Sequence, residues 1–131
     1  MERNSFKPPA WLIWLMWLAL PITWSEYHNH WDQLPSRMAV HFDASWQPNG
    51  YTSREGAEHL GLGIMAAMLI FFTVGSFAAR ALQRSAAWPL LIVFYVVLGF
   101  LCYANHSIIE FNLRAHQSQP ALVQAEFPQV P

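Results

Sequence analysis

The sequence predicts an all-α membrane protein: three transmembrane helices, with a structured extracytoplasmic loop, a short hairpin-like cap, between helices one and two. Three observations predict it. Only 11% of the 131 residues are charged and 54% are hydrophobic, whereas about a quarter of a soluble domain is charged. Three apolar runs, 10–24, 60–79 and 86–104, contain no charged side chain. Turn-forming and polar residues gather in one stretch, Leu34 to Gly56, between the first two runs.

Residues 1–9 form a cytoplasmic lead with Arg3 and Lys7. The run from Ala10 to Trp24 is too apolar on all sides for an amphipathic surface helix. At 1.5 Å per residue it is short for a hydrocarbon layer of about 30 Å. Borrowing the Pro8-Pro9 entry and the interfacial Ser25–Trp31 lengthens it enough, and the span is set at about 10–27. Pro21 is expected to kink or end this helix. A basic start before an apolar run also describes a secretory signal, but no small-x-small cleavage site follows. Four Trp in fifteen residues are unlike such a segment, so an uncleaved anchor is expected. Trp11, Trp14 and Trp17 read as a lipid-facing or packing stripe.

The outer loop is set at 28–57. Met38 to Phe42 alternates like a strand, and Gln47-Pro48-Asn49-Gly50 is a turn signal, because Asn-Gly tolerates φ > 0. Tyr51–Ser53 follows as a second extended piece. Thr52-x-x-Glu55 reads as a capping box that starts the second helix. That helix spans about 58–80. Its Gly63/Ala67 and Gly75/Ala79 pairs permit close helix approach, within the bundle or, as the alternative, in a homo-oligomer.

The third span is set at about 86–106, with Pro89 tolerated in its first turn. The short link before it demands an antiparallel hairpin. The helix is expected to run a turn or two past the bilayer, placing Cys102, His106 and Glu110 on one ridge. Asn105 and Asn112 are positioned to hydrogen-bond the loop. Residues 112–131 hold three prolines and no periodicity, and read as a mobile or loosely docked extracytoplasmic tail. The chain thus divides into the lead 1–9, a membrane domain 10–111 and the tail 112–131.

Charge sets the orientation. Arg3, Lys7, Arg80 and Arg84 flank the spans on one side, which is therefore cytoplasmic; Arg37, Arg54 and Arg114 are spread over the other. The expected location is the bacterial cytoplasmic (inner) membrane, N-terminus inside and C-terminus outside. A basic patch of the kind that binds nucleic acid is absent from the sequence. The single cysteine, Cys102, excludes an intrachain disulfide.

Leu34-Pro35, His41-Phe42 and Pro48-x-Gly50-Tyr51-x-Ser53-Arg54 together resemble the signature of a bacterial membrane domain of unknown function. That domain also forms the N-terminal half of SdpI-type toxin-immunity proteins. The resemblance covers about Trp11 to Phe111 and stops before the second membrane half of those proteins. It implies a non-enzymatic membrane module, with a peptide, toxin or partner membrane protein bound at its outer face. The family usually has Gly where this chain has Trp46, so the loop is expected to turn through Asn49-Gly50 instead.

The residues themselves offer one alternative. His28-x-His30-x-Asp32 and His41-x-Asp43, taken as extended chain, each aim alternate side chains one way. With His106 and Glu110 at the same level they form a candidate site for a divalent transition metal. HExxH and CxxC spacings are absent, and His and Trp suit a membrane interface without any metal. No cofactor is the primary expectation. His41 is expected to be buried beneath the loop, near His106 and Glu110, its imidazole bonded to a carbonyl or carboxylate.

Overall fold

A computed structural model describes residues 7–126. The N-terminal helical segment comprises α1 (Ala10–Leu15), a 3-10 turn (Met16–Leu18) and α2 (Ala19–Asn29). Pro21 is the physical cause of the interruption. It has no N–H for the carbonyl one turn back, at Trp17, and its ring presses on that turn, which tightens. The helix neither ends nor breaks there. A second 3-10 turn (Trp31–Gln33) leads to strand β1 (Arg37–Phe42) and its antiparallel partner β2 (Pro48–Ser53). Helices α3 (Arg54–Leu82) and α4 (Ala87–Glu126) follow, joined by a short 3-10 turn.

Each helix buries one narrow stripe. Ile13, Met16 and Ala19 meet Met65, Leu69 and Phe72 of α3 and Leu91, Phe94 and Leu98 of α4. Phe72 stacks on Phe94 with ring centroids 4.3 Å apart. Gly61 lies against Asn105 near the hairpin end, so α3 and α4 run antiparallel. Polar bonds also cross this core: the Trp17 indole donates to the Thr73 hydroxyl (2.9 Å), the Tyr95 hydroxyl to the Leu12 carbonyl (2.6 Å) and the Thr23 hydroxyl to the Met65 sulfur (3.4 Å).

Away from the stripes the surface is apolar. Trp11, Trp14, Ile22, Phe71, Val74, Val96 and Phe100 are exposed. Only 22% of the most apolar window of α3, and 22% of that of α4, is buried. These two helices are long and apolar enough to cross a membrane, by length and composition. The two small-residue pairs have separate fates. Ala79 is buried, and a Cβ on Gly75 would press on the Phe94 ring at 3.1 Å. Gly63 and Ala67 are exposed.

Two boundaries differ from the sequence expectation. The capping residue of α3 is Ser53, whose hydroxyl accepts from the Gly56 N–H (3.0 Å), and not Thr52. The helix α4 continues through Pro120 to Glu126 instead of dissolving into a tail. Its Gln-, Ala- and Leu-rich sequence has high helix propensity, and this outweighs the one missing N–H. The end of the expected tail, 127–131, lies outside the described residues.

Candidate functional site

The hairpin sits over one end of the bundle, and its attachment explains most of the signature residues. Leu34 and Met38 are buried with Tyr27, Ala57 and Ile109 in a second apolar cluster beneath it. Pro35 fixes φ after the 3-10 turn and lets the chain enter β1. Arg54, the first residue of α3, reaches back to the carbonyls of Trp31 (2.6 Å) and Leu34 (3.4 Å). Its guanidinium also lies over the Trp31 ring, 4.6 Å from the centroid. One side chain thereby ties the loop's start to its end.

The helix α4 supplies the other fastening. Asn112 is buried, and its amide makes a two-way bond with the β1 backbone. The Ala39 N–H donates to Asn112 Oδ1 (2.8 Å), and Asn112 Nδ2 donates to the Ala39 carbonyl (2.9 Å). The asparagine acts as a one-residue neighbouring strand. Asn105 instead serves the helix packing, accepting from the Tyr27 hydroxyl (3.3 Å). A Cβ on Gly61 would lie 2.2 Å from Asn105 Oδ1, so a side chain there would have to displace the asparagine amide.

The turn is not where Asn49-Gly50 suggested. Pro48 to Gly50 belong to β2, and Gly50 does not have positive φ. The chain reverses one step earlier, over Asp43–Gln47. Asp43 Oδ1 accepts from the N–H groups of Ser45 (2.8 Å) and Gln47 (2.9 Å), an Asx-type arrangement. Trp46 carries φ 59°, the left-handed conformation, and among the described residues it is the non-glycine that does so. The left-handed position of this turn is therefore held by a tryptophan and not by a glycine. Gly50 has a different reason to lack a side chain. It pairs with His41 across the strands, and a Cβ there would lie 2.7 Å from the His41 Cβ.

His41 is exposed on the outer side of the hairpin, with Nδ1 bonded to Asn49 Oδ1. The expected burial near His106 and Glu110 is not observed. Buried Met38 and Ala39 and half-buried Val40 and Phe42 take the inward positions, and a register shift between Ala39 and His41 turns the imidazole out. The remaining candidates are equally dispersed. His28 is helical and stacks on Trp24 (5.0 Å), and His30 Nδ1 meets the Glu26 carbonyl (2.9 Å). Since α2 runs to Asn29, the His28/His30/Asp32 alternation of an extended chain does not exist. Asp43 is occupied by the turn. His106 pairs with Glu26, and Glu110 with Arg114. Among the described residues no three His, Cys, Asp or Glu side chains converge as metal ligands.

The hairpin itself offers two surfaces for binding. Arg37, His41, Asn49 and Tyr51 are exposed on the hairpin, with the Arg37 guanidinium 5.1 Å above the Tyr51 ring. Beneath the hairpin tip, a groove of about 540 Å³ runs between Phe42 and Trp46 and the α4 residues Phe100, Tyr103, Ile108 and Phe111. Phe42, in the groove's lining, meets Phe111 edge-on at 4.8 Å. Sequence reasoning missed this groove. The aromatic residues of α4 were visible, but Trp46 comes near them only through the left-handed turn.

No curated protein and no solved structure matches this chain. Residues 27–66, which comprise the end of α2, the whole hairpin and the first turns of α3, match the model of a domain of unknown function (DUF1648).

Proposed function

We propose that the chain is a three-span protein of the bacterial cytoplasmic membrane whose hairpin is an extracytoplasmic, non-enzymatic binding surface. The apolar girdle of the bundle supports the bilayer part of this reading. The N-terminal helical segment packs along α3 and α4 through a comparable stretch, and its exposed Trp11, Trp14, Leu18 and Ile22 suit lipid contact. Lys7 and Arg80 mark the end away from the hairpin as cytoplasmic. The hydrocarbon boundary on the other side falls near Ala104, leaving His106, Glu110 and Arg114 in the headgroup layer.

The observation that carries the binding role is the way the hairpin is built. Its inward side and backbone are tied down by Arg54 and Asn112, while Arg37, His41 and Tyr51 face outward. A fold that fixes a small hairpin this firmly presents a preorganised recognition surface. Its partner on this reading is a peptide or membrane protein, and the SdpI resemblance suggests a peptide toxin as one such partner. Photocrosslinking in cells tests it. A benzophenone amino acid at Tyr51 should give a discrete protein adduct that the same group at Phe71, on the lipid-facing side of α3, does not. Identical patterns at the two positions would refute the role.

A further inference from the structure

We propose that the groove between the hairpin tip and α4 holds one acyl chain of an ethanolamine phospholipid of the outer leaflet, whose headgroup lies against Arg114 and Glu110. The inference rests on the bilayer reading above and gives that membrane face a specific ligand. Val93, Val96, Phe100 and Tyr103 form one exposed apolar ridge along α4, at i, i+3 and i+4 spacing. In a bilayer this ridge touches acyl chains. The groove continues the same line past Ala104, at the level where a free lipid would leave hydrocarbon for headgroup. There Phe42 and Trp46 rise beside the helix and give the ridge a second wall. The volume, about 540 Å³, is ordinary for a small-molecule site.

What lies beyond the groove selects the headgroup. A depression that carries His106, Glu110 and Arg114 in its lining adjoins it, sharing Tyr103, Ser107 and Phe111 as common walls. The charges alternate along α4 at four-residue intervals, and each base has an acid beside it: Glu26 with His106, Glu110 with Arg114. A cluster holding both signs complements a zwitterion better than a net anion. Arg114 offers a planar donor set to phosphate. Glu110 accepts hydrogen bonds that a primary ammonium donates and a quaternary ammonium does not.

The test is native mass spectrometry of the full-length, delipidated protein offered an equal mixture of ethanolamine, choline and glycerol phospholipids. One ethanolamine lipid should be retained, about tenfold or more over the anionic glycerol lipid. Trp46→Gly removes a groove wall at a position where glycine relieves the left-handed backbone, so misfolding does not explain a loss. Ser107→Trp fills the groove from a half-buried site. Each should reduce retention about tenfold. Glu110→Gln with Arg114→Gln should keep a lipid but abolish the headgroup preference. No retained lipid, equal retention of the glycerol or choline lipid, or retention indifferent to both groove variants would overturn the proposal. Displacement of the lipid by an apolar peptide without preference for headgroup would do so too. Flotation of the same sample with liposomes separates the two failures. Protein that floats but keeps no lipid refutes this inference alone, and protein that does not float refutes the bilayer reading.

Discussion

At the scale of single residues, two positions in the hairpin are defined by what a side chain costs there. Trp46 holds a left-handed backbone that costs an L-residue about 1–2 kcal/mol, and it is 78% exposed, with a loose contact to Phe42 at 6.5 Å. Trp46→Gly should therefore raise thermal stability in detergent by about 1 kcal/mol, once the small ring contact is offset. Gly50→Ala should do the reverse, by about 1–3 kcal/mol, as its new Cβ meets that of His41. Because the clash is with the His41 Cβ, His41→Gly should restore most of the loss in the double variant, which a mutant cycle measures. The Asn-Gly dipeptide was legible as a special backbone position, but the reason was not. It is a cross-strand approach, visible only once the register is known.

At the scale of elements, the helices were legible because apolar runs without charge have few other solutions. The strands were legible from alternation and flanking turn residues. What failed were the boundaries that depend on competing caps. Thr52 and Ser53 both offer a hydroxyl three residues before a backbone N–H, and both pair in the sheet, with Met38 and Arg37; only the hydrogen bond from the Gly56 N–H assigns the cap to Ser53. The fate of α4 was hidden for another reason: prolines 120, 128 and 131 suggested disorder, while the helix carries through the first of them. The attachment of hairpin to helix rests on Asn112, whose sequence position hinted at a loop contact without naming Ala39. Asn112→Leu leaves a buried N–H and a buried carbonyl of Ala39 unpaired, at about 1–3 kcal/mol. Hydrogen exchange should show the Ala39 amide, and with it β1, losing protection while the α3–α4 core amides keep theirs. Uniform loss across both would mean that the hairpin and bundle unfold as one unit.

At the scale of the whole molecule, the arrangement is a girdle of exposed apolar side chains around three narrow core stripes, with a polar-fastened hairpin at one end. Such a surface is unsuited to water, where exposed apolar patches of this extent drive association, and suited to a bilayer, where packing supplies the helix contacts. The candidate histidine cluster dispersed at this scale because the N-terminal helix runs to Asn29 and removes the extended geometry that grouping required. The central claim is that the bundle crosses the membrane three times with the hairpin outside. Single cysteines at Ser5, Ser45 and Ser85, in a Cys102→Ala background, test it with an impermeant maleimide on intact cells. Ser45→Cys should label from outside, and Ser5→Cys and Ser85→Cys only after lysis. Labelling of Ser5→Cys together with Ser45→Cys in intact cells would contradict a spanning N-terminal helix, and labelling of Ser85→Cys but not Ser45→Cys would contradict the orientation.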